Sequence, residues 1–335
     1  MKEPFISVII PAFNADKYIA ETLNSVLLQS HSNFEAIVVN DASTDRTKEI
    51  VNEFIERDAR FKLIEQSHLG TANARNHGIK TSRGELISFL DADDLWHPDK
   101  LLEQYLMFRE NSSVDFVSCF AVIVDENSCS KGLISGRYLK GNCYRTMLEA
   151  GGISGGSIVM VRKECLEQVG EFNPRLGPYE DWDMWVRLAR LFKIKTVPKI
   201  LVGYRRSENS ISRNYKKLFD SGELLLKNAF EKDRSLSKKY YNLCFARDII
   251  GIAAWCFIDK QYNESRFFVK KALETDLFAC LTDFQRLGFL VLFTLSMILP
   301  KKIFEKIFMN NLIPGIFKLR FGETFTELCN RRKSI

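Results

Sequence analysis

Segments with the patterns of β-strands and of α-helices alternate along the first part of this 335-residue chain. Four short apolar runs have the length and composition of buried strands, at residues 6–11, 34–40, 61–66 and 85–90. The segments between them carry apolar residues at helical spacing, at residues 15–29, 45–57 and 71–80. Strand–helix alternation at this spacing predicts right-handed βαβ units, and therefore an α/β fold with a parallel sheet flanked by helices.

The fourth apolar run ends in three carboxylates, Asp91, Asp93 and Asp94. Open α/β sheets bind their ligands at the carboxyl ends of the strands, so these side chains should lie beside a binding crevice. Carboxylates this close together repel one another unless a cation lies among them. Their oxygens suit Mg²⁺ or Mn²⁺, which in turn bind phosphate oxygens. The alternative is a solvated turn in which one Asp caps a helix.

Polar residues also follow the first two strands, and together with the acidic turn they predict a nucleotide site. The extended backbone at Pro11 and Ala12, just before Asn14, can pair with the edge of a base. Asp41 can accept hydrogen bonds from a base or a ribose, whereas Asp45 is interpreted as a cap for the second helix. Neither a GxGxxG nor a GxxxxGKS/T pattern occurs, which argues against a dinucleotide or P-loop enzyme.

Small residues open the third helix and would let its backbone approach a ligand closely. Arg75 in this helix is positioned to reach a phosphate, which makes it a candidate for the donor site together with Asp91. A structural arginine paired with the acidic turn explains the same residue equally well. Both interpretations place Arg75 beside the site.

The pattern changes along the rest of the chain. Helices are predicted at residues 99–111 and 179–192, and strands at residues 114–124, 157–161 and 194–204. We place the end of a first domain, residues 1–212, where this alternation stops. Residues 213–335 are purely helical in pattern, with a helix pair over 248–276 that is broken near 259–263 and loosely echoes one tetratricopeptide unit.

Residues 287–299 form an uncharged apolar run that is too short to span a bilayer, since a spanning helix needs about 20 apolar residues. A buried core helix and a helix inserted into one leaflet explain this run equally well. The basic residues Lys301 and Lys302, and those in the tail from Arg331, favour contact with a membrane surface.

Composition sets few further limits. The net charge of +6 is modest and gives no sign of nucleic-acid binding. The eight cysteines include no CxxC pair, which favours reduced thiols in a cytosolic protein. Because the charged amino terminus leads directly into a strand, we expect no signal peptide and a cytoplasmic location.

Four segments, in this order and spacing, resemble the amino-terminal half of family 2 glycosyltransferases. They are ISVIIPAFNADKYIAETLNSVLLQ, VVNDASTDRT, GTANARNHGI and GELISFLDADDLWHPDKL, and the resemblance covers about residues 4–210. It implies a GT-A fold with a Rossmann-like, mostly parallel sheet. It further implies a nucleotide-diphosphate sugar donor, a divalent metal, and displacement at the anomeric carbon with inversion. It also implies that Asp41 contacts the base and that Arg75 lies near the diphosphate. Asp93 would be the main metal ligand, with Asp91 supporting the ribose or the metal.

Sugar transfer also needs a base, because the pKa of an acceptor hydroxyl lies far above neutrality. Acidic and aromatic residues at the start of the helix near residue 180 fit this need. The segment resembles the family's Glu-Asp motif, which marks Asp181 as the catalytic base and places Glu180 and Trp182 on the acceptor side. Alternatively, the three acids, including Asp183, only stabilise the positive end of the helix.

Two further segments carry expectations from the resemblance. The glycine-rich run that contains Gly155 and Ser157 resembles the segment beneath the acceptor, with a flexible turn as the alternative. Ser207 stands where the family often has a His. Water, Arg205 or Arg206 would then have to take the place of that His near the metal or the diphosphate.

The sequence therefore predicts a metal-dependent, inverting glycosyltransferase with Mn²⁺ or Mg²⁺. The donor is expected to be a UDP-sugar, and the acceptor a saccharide or a lipid-linked sugar in surface glycan synthesis. Several membrane spans and the Gln-x-x-Arg-Trp motif of processive synthases do not occur, which favours the addition of single sugars. Two alternatives remain: a non-catalytic nucleotide-sugar-binding scaffold, and a nucleotidyltransferase, which should carry a Gly-rich, Lys-bearing loop after its first strand. We expect peripheral contact with the inner face of a membrane and no nucleic-acid partner.

Overall fold

The computed structural model describes residues 4–149, 153, 155–207, 210–281, 288–291 and 293–294. The strands β1 to β10 are, in order, Ile6–Ala12, Phe34–Asn40, Phe61–Glu65, Leu86–Phe89, Leu95–Trp96, Phe116–Val124, Ser130–Ser135, Lys140–Gly141, Met160–Arg162 and Ile194–Arg205. The helices α1 to α10 are, in order, Ile19–Leu27, Thr47–Arg57, Thr71–Thr81, Lys100–Glu110, Tyr144–Leu148, Lys163–Val169, Glu180–Leu191, Tyr215–Lys232, Lys238–Ile258 and Tyr262–Leu281. The 3-10 segments Pro174–Tyr179 and Ile211–Arg213 precede α7 and α8.

One mixed sheet, with the strand order β3-β2-β1-β4-β9-β6-β10-β5, forms the centre of the molecule. β7 and β8 pair with β6 and β10 beside this path. The predicted parallel pairing is confirmed for β1 to β4, since β1 lies between β2 and β4 and runs parallel to both. Every residue of β1 and β2 is buried, as expected of strands that are covered by helices on both faces.

The first helix is shorter than predicted, spanning Ile19–Leu27 rather than residues 15–29. The residues before it form a turn, in which the Ala15 amide donates a hydrogen bond to the Thr47 hydroxyl at 2.8 Å. This bond ties the loop after β1 to the start of α2. Both loops are therefore held at the same edge of the sheet.

The strand expected at residues 157–161 is also shorter. β9 spans Met160–Arg162, and residues 155–158 form a bend and a turn before it. β9 pairs in the antiparallel direction with both β4 and β6. This short strand therefore joins the parallel half of the sheet to the remaining strands.

Every described element after β10 is helical. The predicted helix pair and the break within it are confirmed by α9 and α10. α9 begins at Lys238, well before the expected residue 248, because the Ser237 side chain caps it by accepting a hydrogen bond from the Tyr240 amide at 3.2 Å. The apolar run at residues 287–299 lies mostly outside the described residues.

The helical region packs directly against the segment before α7. The Tyr179 hydroxyl donates a hydrogen bond to Asp248 Oδ1 on α9 at 2.9 Å. A Cβ at Gly222 of α8 would lie 2.1 Å from Asp248 Oδ2 and 3.2 Å from the Tyr179 ring, so this approach requires glycine. One continuous cluster of buried apolar side chains extends from the sheet to these helices. The division into domains at residue 212 stays a prediction.

Among the described helices, α9 alone has the length and hydropathy needed to cross a bilayer, and 56% of its apolar window is buried inside the protein. Asp248 is also buried in this helix. The buried core helix of a soluble protein has the same properties, so α9 gives only weak evidence for a membrane span.

Candidate active site

A cavity of about 1090 Å³ opens at the carboxyl ends of β1, β2 and β4. The starts of α3 and α7 line one part of it, and residues of α8 and α9 line another. All the predicted site residues except Ser157 line this cavity, namely Pro11, Ala12, Asn14, Asp41, Arg75, Asp91, Asp93, Gly155, Glu180, Asp181 and Trp182. The fold therefore brings together motifs that lie far apart in the chain.

Asp41 holds the loop between β3 and α3 against the cavity. Its Oδ1 accepts hydrogen bonds from Gln66 Nε2 at 2.7 Å and from the Leu69 amide at 2.8 Å. Its Oδ2 accepts one from the Gly70 amide at 2.9 Å. Although burial alone would raise the pKa of Asp41, these hydrogen bonds lower it. Asp41 is thus a carboxylate that builds the wall of the expected base site, and its direct contact with a base stays a prediction.

The loops after β1 and β2 hold each other in place. Asn14 has a φ of 47°, and its Oδ1 accepts a hydrogen bond from the Thr44 amide at 2.8 Å. Asp45 accepts hydrogen bonds from the amides of Thr47 and Asp16, each at 3.0 Å. The cap position of α2 is occupied by Arg46 rather than by the predicted Asp45, which holds the start of the helix from one residue further back and also fixes the loop that carries Asn14.

The acidic turn divides into one interior carboxylate and two that line the cavity. Asp94 is fully buried, and its two oxygens accept hydrogen bonds from the Ser157 hydroxyl at 2.5 Å and from the Arg205 amide at 2.8 Å. Burial raises the pKa of Asp94 well above its usual value. Asp91 and Asp93 line the cavity instead. A solvated turn is excluded, because this turn is anchored in the interior through Asp94.

Ser157 lies beneath the acidic turn and away from the cavity surface. It is only 1% exposed. Its hydroxyl donates to Asp94 and accepts a hydrogen bond from the Asp91 amide at 3.0 Å. Of the two residues singled out in the glycine-rich run, Gly155 lines the cavity, whereas Ser157 positions the acidic turn from below.

Arg75 joins the acidic turn to the acids at the start of α7. Its Nη2 donates to Asp91 Oδ1 at 2.6 Å, and its Nη1 donates to Glu180 Oε1 at 2.5 Å. The side chain is 5% exposed, and its guanidinium lies 5.5 Å from the centroid of the Phe172 ring. Although burial opposes the charge, the neighbouring carboxylates raise the pKa of Arg75. In the structure Arg75 is paired with carboxylates, as one of the two interpretations expected. A contact between Arg75 and a phosphate stays a prediction.

Asp181 lies in the first turn of α7 and faces the same cavity. Burial and the charge of Asp91 raise the pKa of Asp181 to about 6, although Arg75 opposes this shift. Burial likewise raises the pKa of Glu180 to about 7. Asp181 Oδ1 accepts a hydrogen bond from the Trp182 amide at 2.7 Å, which fixes the carboxylate. At neutral pH Asp181 is therefore an ionised, desolvated carboxylate, the state that a general base requires.

The neighbours of Asp181 have packing roles. Asp183 accepts a hydrogen bond from Arg187 Nε at 2.8 Å, one turn along α7, so the structural interpretation fits this acid. Trp182 is 4% exposed, and its Nε1 donates to the Met147 carbonyl at 2.7 Å. Its ring lies edge-on to Tyr179, with a centroid separation of 5.0 Å. Trp182 is thus a fixed part of the wall, and its contact with an acceptor sugar stays a prediction.

Asp91 and Asp93 fit a divalent cation. Burial and the charge of Asp91 raise the pKa of Asp93 to about 6, as expected where carboxylates lack enough compensating positive charge. Within the part of the chain that the structure describes, no three His, Cys, Asp or Glu side chains form a complete metal site. Proteins commonly hold Mg²⁺ through one or two carboxylates together with substrate phosphates. Two cavity-lining carboxylates therefore match a site that a phosphate-bearing donor completes.

The end of β10 contains the residues that were considered in place of the family His. The Arg205 guanidinium is buried and donates to the Asp93 carbonyl at 2.6 Å and to the Glu21 carboxylate at 2.8 Å, so it has a structural role. Arg205, Arg206 and Ser207 all line the cavity. Which of them contacts the metal or the diphosphate stays a prediction.

Residues of the helical region also line the cavity, including Lys217, Asp248 and Trp255. These residues could not be predicted from a motif, because the helices that carry them show only an apolar pattern in the sequence. One available signal was Lys217 itself, since a cation in the first turn of a helix is electrostatically unfavourable.

Known proteins resemble this chain in sequence. Residues 7–170 match the model of the family described as Glycosyl transferase family 2. TuaG of Bacillus subtilis, a glycosyltransferase whose name associates it with teichuronic acid biosynthesis, is 31% identical over 81% of this chain and 98% of its own length. WfgD of Escherichia coli, named as a UDP-Glc:alpha-D-GlcNAc-diphosphoundecaprenol beta-1,3-glucosyltransferase, is 31% identical over 77% of this chain and 97% of its own length.

Solved structures show the same fold at lower sequence identity. S. aureus TarS 1–349 in complex with UDP-GlcNAc has a TM-score of 0.60 and 20% identity, over 81% of each chain. The mannosyltransferase PcManGT from Pyrobaculum calidifontis, in complex with GDP-Man and Mn²⁺, has a TM-score of 0.55 and 19% identity, over 96% of this chain and 89% of its own. The GT-A fold expected from the sequence is confirmed, and the chain belongs to glycosyl transferase family 2.

Proposed function

We propose that this protein is a metal-dependent, inverting glycosyltransferase that moves a sugar from a nucleotide-diphosphate donor to a saccharide or lipid-linked acceptor. One observation carries the proposal: Arg75 binds Asp91 on one side and Glu180, next to Asp181, on the other. Asp91, Asp93 and Asp181, to which we assign cation binding and base catalysis, line one cavity. Direct displacement needs this arrangement, because the donor and the acceptor must be positioned together.

In this mechanism Asp181 accepts the proton of the acceptor hydroxyl while the hydroxyl oxygen bonds to the anomeric carbon. The bond between the anomeric carbon and the diphosphate oxygen breaks, and its electron pair leaves with the diphosphate. Asp91 and Asp93 would hold Mn²⁺ or Mg²⁺, which when bound neutralises charge on the leaving diphosphate. Because the acceptor attacks opposite the leaving group, the anomeric configuration inverts.

We propose a UDP-sugar donor, with its nucleotide at the ends of β1 and β2. The residues assigned to donor binding are Pro11, Ala12, Asn14, Asp41, Arg75 and Asp91. WfgD is named for a UDP-Glc donor, and TarS was solved with UDP-GlcNAc, which supports uridine. PcManGT was solved with GDP-Man, so the fold alone does not select the base.

We propose that the acceptor enters beside Asp181, between Gly155 and the packed wall at Glu180 and Trp182. The name of WfgD specifies a sugar linked to diphosphoundecaprenol, and the name of TuaG refers to teichuronic acid. Both names support an acceptor of the saccharide or lipid-linked class, and a role in surface glycan synthesis.

The two alternative functions are less well supported. The relatives compared are glycosyltransferases, and the loop after β1 contains no glycine, so it is not the Gly-rich, Lys-bearing loop expected of a nucleotidyltransferase. A non-catalytic scaffold has no use for Asp181, a carboxylate whose burial opposes its own ionisation. Donor turnover separates a scaffold from an enzyme.

Replacing Asp93 by Ala should weaken UDP binding at least about tenfold in the presence of Mn²⁺, which corresponds to about 1.4 kcal/mol. The reason is that the cation links Asp93 to the diphosphate. Calorimetric titration of UDP, in Mn²⁺ and in a chelator, measures the effect. Asp220→Ala, which removes an exposed carboxylate of α8, is the matched control. If wild-type protein binds UDP equally well with Mn²⁺ and with chelator, the metal site is contradicted.

We propose a cytoplasmic location with peripheral contact between α10 and an anionic membrane. Phe267 and Phe278 of α10 are 61% and 72% exposed, and Lys270 and Lys271 on the same helix are also exposed. Exposed aromatic rings beside basic residues are typical of helices that bind at membrane surfaces.

Sedimentation with vesicles that contain anionic lipid tests this location. Wild-type protein should sediment with the vesicles, and Phe278→Asp should largely abolish this. Leu191→Asp changes a similarly exposed residue, 62% exposed at the end of α7, and should have no effect. The membrane contact through α10 would be contradicted if wild-type protein remained in the supernatant. It would also be contradicted if both variants lost vesicle binding to the same extent.

A further inference from the structure

Two cations line the cavity on the side of the helical region, and the activity proposed above does not use them. Lys217 lies in the first turn of α8, and Arg206 follows the end of β10. Among the described residues, no carboxylate forms an ion pair with Lys217, whose backbone amide donates to the Asn214 side chain at 3.0 Å. A cation at the amino end of a helix is unfavourable. The Lys217 ammonium is therefore available to an anion in the cavity.

Gly177 places the Lys217 ammonium beside the segment that carries the base. This glycine has a φ of 49°, and a Cβ there would lie 2.7 Å from Lys217 Cε and 3.3 Å from Nζ. The end of the lysine side chain thus lies on the backbone of Gly177, shortly before Asp181. A side chain at position 177 would push the ammonium away from the cavity.

Arg206 supplies a second, independent observation. Its side chain is 6% exposed, its Nη2 donates to Asp259 Oδ2 at 2.6 Å, and its guanidinium lies 4.0 Å from the centroid of the Trp255 ring. Its Nε is buried and has no hydrogen-bond partner. Although it is ion-paired with Asp259, Arg206 lines the cavity and contributes a cation to its wall.

The position of these cations relative to the reacting centre indicates which of the two substrates carries the anion that they bind. In a displacement with inversion, the leaving diphosphate lies opposite the attacking hydroxyl. The diphosphate therefore belongs beside Asp91 and Asp93, and the acceptor belongs beside Asp181. Lys217 contacts the segment next to Asp181, so the anion that it faces belongs to the acceptor.

We propose that Lys217 and Arg206 form a subsite for a phosphate group carried by the acceptor sugar. This inference rests on the proposed function, because it uses the direction of the displacement. Charge-assisted hydrogen bonds from Lys217 to phosphate oxygens, together with the positive charge of Arg206, would hold the acceptor and turn its hydroxyl toward Asp181. The subsite thereby selects phosphate-linked acceptors over neutral sugars.

Binding of acceptor analogues to the full chain, saturated with UDP and Mg²⁺, tests the subsite. The probes are a panel of hexose 1-phosphates and the corresponding free hexoses, titrated by calorimetry. UDP keeps the donor site filled, so the probes report the acceptor side. At least one hexose 1-phosphate should bind about tenfold or more tightly than its free hexose, as expected for charge-assisted contacts to phosphate.

Lys217→Ala should abolish this preference for the phosphate and leave the UDP affinity unchanged. Lys216→Ala removes an exposed neighbouring charge on α8 and is the matched control, which should keep the preference. Lys217→Arg keeps the charge and should retain most of it. Melting temperatures show that each variant is folded.

Three results overturn the subsite. The first is equal binding of phosphorylated and free hexoses by the wild type. The second is an unchanged preference in Lys217→Ala, and the third is a loss of UDP affinity in that variant, which would assign the cation to the donor. Failure of the proposed function is distinguishable, because wild-type protein would then neither bind UDP with the metal nor release nucleotide from any donor.

Discussion

Replacing Asp181 by Asn should lower sugar transfer about 10³-fold, within the range that general base catalysis contributes, and should leave UDP binding unchanged. Asn keeps the size of the side chain and can still accept the hydrogen bond from the Trp182 amide, but it cannot take up the proton of the acceptor. The rate of nucleotide release measures the first effect, and calorimetric titration of UDP measures the second.

The pH dependence of the rate, compared between wild type and Asp181→Asn, distinguishes Asp181 from Glu180 as the base. Because burial and the charge of Asp91 raise the pKa of Asp181 to about 6, the rate should rise with pH as Asp181 loses its proton and level off above that value. Asp183→Asn removes a neighbouring acid that pairs with Arg187 and should keep this profile. If the rise is centred near pH 7, where the pKa of Glu180 lies, and persists in Asp181→Asn, Glu180 is the base instead.

Replacing Arg75 by Met should lower the free energy of unfolding by about 3–5 kcal/mol, the usual cost of removing one partner from a buried ion pair. Met retains the apolar contact with Phe172 but leaves Asp91 and Glu180 without their shared cation. Sugar transfer should also be lost, because the cavity no longer holds the acidic turn and the base together. Urea unfolding measures the stability.

A double-mutant cycle separates the bridge from packing. Glu180→Gln in the Arg75→Met background removes one carboxylate that has lost its partner, and should recover part of the lost stability. Groups in contact do not give additive effects. If the two substitutions simply add, the bridge seen between Arg75 and Glu180 contributes no coupling, and its proposed role in holding the site is contradicted.

The parallel half of the fold could be predicted because its strands are apolar runs that stop abruptly at polar residues. β1, β2 and β4 each end in this way, and parallel strands carry such residues to one edge. β5 and β8 have two residues each and β9 has three, too few to show a period in the sequence. The places of these short strands in the sheet were therefore not predictable, although β6 and β10, which are longer, pair in the parallel direction.

Which of the neighbouring acids lines the cavity and which is buried depends on contacts with residues far away in the sequence. A local sequence pattern does not contain these contacts. Asp93 and Asp94 are identical and adjacent in the sequence, yet Asp94 is drawn into the interior by Ser157 and by the Arg205 amide. Ser157 was expected on the acceptor side because its glycine-rich run resembles the family's segment beneath the acceptor, but it is buried and its hydroxyl donates to Asp94. Lys217 reaches the cavity only because α8 packs on the segment before α7, which no motif records.

Nucleotide release by the purified protein, across a panel of nucleotide-sugars and with Mn²⁺ or a chelator, tests the central claim most directly. Sugar-phosphate acceptors should be included, and Asp181→Asn should be measured beside the wild type. We predict that one donor class, UDP-sugars, releases its nucleotide only with the metal, and that the variant loses this activity. Metal-dependent UDP binding without turnover of any donor, or turnover that is unchanged in Asp181→Asn, would contradict the claim.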